Sequence, residues 1–160
     1  MPEVTPPIFI QDSITITKAT TKHIPQLAEL FDLYRQFYKE DANITKAKQY
    51  LGERIKKKDA TIYIAFDNNQ QAVGFTQLYP SLCSVEGGLI WILYDLFVLK
   101  SARNQSIAKQ LMESARLLAV DTNALRIDLE TAIDNLPAQS LYEQLGYERD
   151  TEFYKYSLDI

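Results

Sequence analysis

The spacing of hydrophobic and polar residues changes repeatedly along the chain, and each change marks a new element. Runs rich in β-branched, aromatic and alternating apolar residues at 14–17, 61–66, 72–79, 89–98 and 124–130 predict five strands. Apolar residues recur at helical intervals over 24–38, 44–55, 107–118 and 136–145, which predicts four helices. Residues 147 and 153–158 are predicted to supply the last strands.

The connections between these elements indicate a mixed α/β fold with one central sheet. An Asn-rich turn at 67–71 and the turn at Gly87 and Gly88 predict a three-stranded antiparallel meander. The strand–helix–strand order over 89–130 favours a parallel pair with a right-handed crossover. Residues 1–12, which include three prolines, are expected to form an extended arm, and residues 13–160 a single domain.

Composition narrows the class of protein. The chain has 160 residues, 46% hydrophobic and 24% charged, as an ordinary globular domain does. Its net charge of −4 argues against nucleic-acid binding. Cys83 is the single cysteine, which excludes an internal disulfide, and we interpret it as a small loop or core residue rather than a nucleophile. No leader and no apolar stretch of membrane-spanning length is evident, so we expect no membrane association and a cytoplasmic location.

The turn between the fourth strand and the third helix is a candidate ligand site. Residues 100–106 carry mainly small or polar side chains, and the helix begins directly after them. A helix N-terminus offers unpaired N–H groups and the positive end of a dipole, which favour a phosphate. The turn could equally be a plain connection.

Two motifs, in order, resemble the GNAT superfamily of acyl-CoA-dependent N-acyltransferases. The pyrophosphate loop of that family reads Arg or Gln, two residues, Gly, one residue, then Gly or Ala. The matching positions here are Arg103, Asn104, Gln105, Ser106, Ile107 and Ala108. The family's N-x-P-A-x-x-L-Y-x-x-x-G-[FY] segment is similar to residues 135–147, from Asn135 to Tyr147. Ser106 departs from the pattern: its Cβ narrows the turn, whereas its hydroxyl could donate to a phosphate.

The resemblance implies a fold, a co-substrate and the residues that hold it. The expected fold is a central mixed sheet of six to seven strands flanked by four helices. Acetyl-CoA is the implied co-substrate, and no metal is implied. The residues implied to bind it are Leu96, Phe97, Val98, Arg103, Asn104, Gln105, Ser106, Ile107, Ala108, Lys109, Asn135 and Ala138.

The resemblance also implies the catalytic residues. Tyr142 lies where the family places its general acid, although a core tyrosine is the alternative interpretation. Asp95 and Glu130 are the candidate bases, unless water serves. Asp95 could instead satisfy a buried partner, and Glu130 could simply be solvated. Strict alternation places Tyr94 and Asp95 on opposite faces, so that only one of them lines the acceptor site.

The acceptor is expected to be a small amine. Tyr34, Tyr38 and Tyr94 are the candidate substrate-binding residues, with Glu40 and Asp41 nearby, because aromatic rings and carboxylates suit a protonated amine. Residues 93–98 are similar to the corresponding strand of polyamine acetyltransferases. The family's range also includes protein N-termini and lysines, and a non-catalytic ligand- or partner-binding protein is the alternative suggested by Ser106. A homodimer formed through residues 153–158 is expected from the family.

Overall fold

The computed structural model describes residues 9–11 and 13–160, which cluster into one compact unit up to Leu129 and another from Glu130 to Ile160. The strands are β1 (Phe9–Gln11), β2 (Ile14–Lys18), β3 (Thr61–Phe66), β4 (Ala72–Cys83), β5 (Gly88–Val98) and β6 (Ile127–Leu129). The helices are α1 (Ile24–Phe37), α2 (Ile44–Lys57), α3 (Ile107–Asp121) and, in the second unit, α4 (Leu136–Gln144). Short 3₁₀ turns cover Thr21–His23 and Lys100–Ala102.

The six strands form one sheet in the order β1-β2-β3-β4-β5-β6. Every neighbouring pair is antiparallel except β5 and β6, which are parallel. The predicted mixed sheet with four helices is therefore confirmed. Most of the expected N-terminal arm lies outside the described residues, but within it Phe9–Gln11 is a strand paired with β2.

One sequence-based strand prediction is wrong, and another gives a strand that is too long. No strand is assigned among the described residues after Leu129, so residues 153–158 do not extend this sheet. The strand predicted over 124–130 shortens to Ile127–Leu129, because its ladder with β5 covers only Trp91–Leu93. Conversely, β4 runs to Cys83, beyond the predicted end at residue 79.

Alternation along β4 places helices on both faces of the sheet. Phe75 is fully buried in a cluster with Leu27 of α1 and Leu51 of α2. A Cβ added to its neighbour Gly74 would project from the opposite face of the sheet, 3.4 Å from Ile107 of α3. The sheet of the first unit thus separates α1 and α2 from α3. No helix within the described part of the chain is long and apolar enough to cross a membrane.

A β-bulge interrupts the pairing of β4 with β5. Gln77 lies opposite Asp95, whereas Leu78 lies opposite Leu93, so Tyr94 is an extra residue with no counterpart on β4. The parallel ladder of β5 with β6 also ends at Leu93. Beyond this point β5 continues its ladder with β4 as far as Val98 but has no ladder with β6.

Candidate active site

The turn that enters α3 has the backbone shape of a glycine-rich loop without containing glycine. Asn104 and Ser106 have positive φ values of 64° and 57°. Ser106 is the N-cap residue of α3, yet its side chain makes no capping hydrogen bond. The first N–H groups of the helix are therefore left without that partner and suit an anion.

Arg103 is tied to the end of β5 while remaining at the surface. Its Nε donates to the carbonyl oxygen of Val98 at 3.2 Å, and the residue is exposed. The side chain is therefore oriented beside the loop, where its charge can supplement the helix dipole.

Gly74, which sequence reasoning missed, permits close packing beneath this loop. A Cβ at this position would lie 2.9 Å from the carbonyl oxygen of Phe97 and 3.2 Å from Val98 Cγ2. Because real Cβ atoms rarely approach backbone so closely, any larger residue would displace the end of β5. The lone glycine within an otherwise apolar strand was the available sequence signal.

Asp95 lies at the centre of a buried polar network. It is 4% exposed, and its Oδ2 accepts a hydrogen bond from Gln77 Nε2 at 2.7 Å. The same Nε2 donates to the Tyr79 hydroxyl at 2.9 Å, and that hydroxyl lies 2.5 Å from the hydroxyl of Tyr50. Burial raises the pKa of Asp95, while hydrogen bonds from Gln77 and Tyr34 oppose that rise. The network supplies a carboxyl group whose proton affinity exceeds that of an exposed aspartate.

The structure brings Tyr34, Tyr38 and Tyr94 together. The Tyr34 hydroxyl donates to the carbonyl oxygen of Tyr94 at 3.4 Å, and the rings of Tyr34 and Tyr38 are 5.0 Å apart. Burial and the charge of Asp95 raise the pKa of Tyr34, so its hydroxyl remains a donor. Tyr38 and Tyr94 are exposed, at 57% and 65%. Tyr34 therefore links the other two residues, through its ring to Tyr38 and through its hydroxyl to the backbone of Tyr94, and these three residues form the Tyr34–Tyr38–Tyr94 surface beside Asp95.

The expectation that Tyr94 and Asp95 lie on opposite faces is wrong. The Tyr94 ring lies 5.6 Å from that of Tyr79. The Gln77 side chain donates hydrogen bonds to both Tyr79 and Asp95. The bulge causes this, because an extra residue breaks the strict alternation of side chains. Both residues therefore adjoin the same Gln77–Tyr79 pair. Gln77 was signalled in the sequence only as a polar residue within an apolar strand.

The second unit contains the remaining candidates. Asn135 caps α4, its Oδ1 accepting from the backbone N–H of Ala138 at 3.3 Å. Tyr142 is half-buried on the same helix, with its ring 6.1 Å from that of Tyr147. Glu130 forms an exposed ion pair with Lys155. Within the described ranges, no group of three or more His, Cys, Asp or Glu side chains could hold a metal ion.

Comparison with known proteins decides the family. Residues 27–147 match the Acetyltransferase (GNAT) family. The chain belongs to this family. It is 38% identical over 147 residues, 92% of this chain and 98% of the other, to a Bacillus subtilis protein named uncharacterized N-acetyltransferase YhfO. Family membership identifies the protein as a GNAT-type N-acetyltransferase.

Solved structures of other proteins share this fold. The crystal structure of a probable acetyltransferase superimposes with a TM-score of 0.85 at 38% identity, covering 91% of this chain and 97% of its own. AAC(6')-Iy, solved with the bisubstrate analog CoA-S-monomethyl-acetylneamine, superimposes with a TM-score of 0.77 at 18% identity, covering 93% and 100%. At that identity the second likeness supports the fold alone.

Proposed function

We propose that this GNAT protein transfers an acetyl group from acetyl-CoA to the primary amine of a small molecule, by direct attack through a tetrahedral intermediate. The observation that carries the proposal is the path of β5. The strand leaves its ladder with β6 after Leu93, continues paired with β4 alone to Val98, and then enters the turn and N-terminus of α3. A single continuous segment therefore offers backbone groups followed by a phosphate-binding helix end.

The residues present fit a CoA molecule. The backbone of Leu96, Phe97 and Val98 would pair with the pantetheine arm, and a backbone N–H near Leu96 or Phe97 would stabilise the oxyanion. The backbone of 104–109 would hold the pyrophosphate, with Arg103 and Lys109 supplying charge. The left-handed conformation of Ser106 supports this role, since the chain keeps the glycine-like backbone despite the serine. That observation favours an active acetyltransferase over the non-catalytic alternative.

The acceptor amine must lose a proton before it attacks. Asp95 is our proposed base, because burial raises its pKa above that of an ordinary aspartate and it adjoins the Tyr34–Tyr38–Tyr94 surface. Glu130 is the second candidate, but its carboxylate is exposed and already paired with Lys155. Tyr142 is our proposed acid, giving its phenolic proton to the departing thiolate, and Asn135 and Ala138 are proposed to bind the co-substrate.

The exposed tyrosines favour a small cationic acceptor. Tyr38 and Tyr94 are exposed, and cation–π contacts with their rings would orient an ammonium group before its deprotonation. A protein N-terminus or lysine remains the alternative class of acceptor. We further propose that residues 13–160 act as one domain in the cytoplasm. The exposed Phe153, Tyr156 and Leu158 support a homodimer formed through the C-terminal segment.

Turnover with a defined amine panel tests the proposal. Release of CoA thiol would be followed with acetyl-CoA and, in turn, spermidine, L-lysine, tyramine and a peptide with a free N-terminus. We expect acetylation of one of the small amines, confirmed by mass spectrometry, with a higher kcat/KM than for the peptide. Preferred turnover of the peptide would transfer the assignment to the protein-acetylating alternative. Absence of amine-dependent release would contradict the proposed reaction.

A further inference from the structure

Asp32 is a buried carboxylate on α1 that the proposed chemistry does not use. The residue is 8% exposed, and its side chain accepts hydrogen bonds from three groups. Oδ1 accepts from the backbone N–H of Asn43 at 2.8 Å and from Arg35 Nη1 at 3.1 Å. Oδ2 accepts from Gln36 Nε2 at 3.1 Å. These hydrogen bonds and the charge of Arg35 offset the cost of burying the carboxylate, and loss of the carboxylate charge would weaken them.

The bond to Asn43 joins the end of one helix to the start of the next. Asn43 is the N-cap of α2, and its own side chain accepts from the N–H of Lys46 at 2.9 Å. Asp32 therefore fixes the residue at which α2 begins, eleven positions farther along the chain.

Arg35 extends this connection over the intervening loop, residues 38–43. Its guanidinium donates to the carbonyl oxygen of Asp41 and to Glu40 Oε2, both at 3.4 Å. In addition, the backbone N–H of Glu40 donates to the carbonyl oxygen of Arg35 at 3.1 Å. The Asp32–Arg35 pair, with side chains 11% and 12% exposed, thus lies beneath most of the loop.

Hydrophobic packing does not hold this loop. Every residue from 36 to 46 is exposed, and the next buried side chain is that of Ala47. Since no buried apolar side chain anchors the segment, its position depends on polar contacts: the backbone hydrogen bonds of Tyr38 and Lys39 to the last turn of α1, and the side-chain contacts from Asp32 and Arg35.

The loop begins with Tyr38, one of the three residues of the proposed acceptor surface. The Tyr38 ring packs edge-on against Tyr34 at 5.0 Å, and the Tyr34 hydroxyl contacts the carbonyl oxygen of Tyr94. We infer that Asp32 is a positioning residue for the acceptor, holding the 38–43 loop so that Tyr38 closes the aromatic surface on which the amine binds. This inference rests on the proposed function.

Asp32→Asn tests the inference, because it removes the charge while keeping the size of the side chain. We expect KM for the best amine of the panel to rise about tenfold, since small displacements of a binding group are costly. We expect kcat and KM for acetyl-CoA to change less than about twofold, because the residue touches neither reacting group. Amide hydrogen exchange at Asn43 should become faster. Glu113→Gln is the control for losing an i,i+3 ion pair elsewhere, since Glu113 and Arg116 form such a pair on α3, although a more exposed one.

The outcomes separate the inference from the proposed function. An active wild type whose amine KM is unchanged in Asp32→Asn would overturn the positioning role alone. A lower kcat with an unchanged amine KM in Asp32→Asn would also overturn the positioning role. A wild type inactive toward every amine would overturn the proposed function and this inference with it. If Asp32→Asn fails to fold, Arg35→Gln removes the contacts to Glu40 and Asp41 and should raise the amine KM in the same direction.

Discussion

Replacing Ser106 with glycine measures how much folding stability the chain loses by having serine where the family's loop has glycine. Ser106 has φ 57° and ψ 18°, a left-handed conformation that costs a residue with a Cβ about 1–2 kcal/mol. Glycine removes that cost but adds unfolded-state entropy of about 0.5–1 kcal/mol. The side chain makes no capping hydrogen bond, so no bond to the helix is lost. The net gain in the free energy of unfolding should therefore be about 0.5–1 kcal/mol.

Thermal unfolding of the free protein is the assay. For a chain of this length, about 0.5–1 kcal/mol corresponds to a rise in Tm of about 1–4 °C. Asn104→Gly is the matched control: Asn104 also has positive φ, at 64°, but asparagine adopts this conformation at lower cost, so its gain should be smaller. A fall in Tm for Ser106→Gly would refute the strain argument, because it would mean that the serine side chain stabilises the turn.

Three further predictions, one of them with Gly52→Ala as its comparison, test other parts of the account. Because burial raises the pKa of Asp95 above its ordinary value of 3.8, the folded chain retains this proton where the unfolded chain has lost it. Stability should therefore fall as pH rises from about 3.8 through the raised value, and Asp95→Asn should flatten that part of a Tm-against-pH profile. Gly74→Ala, whose Cβ would lie 2.9 Å from the Phe97 carbonyl oxygen, should lose about 1–3 kcal/mol in urea unfolding. Gly52→Ala, where the nearest atom is 3.7 Å away, should gain about 0.5–1 kcal/mol within its helix, and a loss there would contradict the comparison. Tyr142→Phe should lower kcat without changing affinity for acetyl-CoA, and unchanged turnover at every pH would remove the proposed acid.

The strands and helices of the first unit were largely predictable because their periodicity is local. Alternation and helical spacing located the core strands, and the glycine pair located the turn into β5. The end of β6 was not predictable. Its length depends on where the ladder with β5 stops, which is a property of the partner strand.

The C-terminal strand prediction failed for a related reason. Residues 153–158 carry strand-forming aromatic and apolar side chains, but Phe153, Tyr154 and Tyr156 are at least 78% exposed in this chain. A β-strand requires backbone partners as well as suitable side chains. The sequence shows whether the side chains suit a strand, but it does not show whether a backbone partner is present.

At the site, residue types were predictable and their geometry was not. The sequence indicated the three tyrosines by their chemistry alone. In the structure, Tyr34 contacts the ring of Tyr38 and the backbone carbonyl of Tyr94. The relation of Tyr94 to Asp95 was mistaken, because a single-residue bulge resets the faces of a strand without any local signal such as glycine. Gln77 was missed since its role depends on register with β5, a long-range property.

Isothermal titration with acetyl-CoA, and with CoA alone as the comparison, tests the central claim most directly. If β5 and the turn before α3 form a working co-substrate site, acetyl-CoA should bind with a micromolar Kd, about −8 kcal/mol. CoA alone should also bind, because it shares the pyrophosphate and the pantetheine arm. Absence of measurable binding at millimolar acetyl-CoA would contradict the account, since the Ser106 turn would then hold no pyrophosphate.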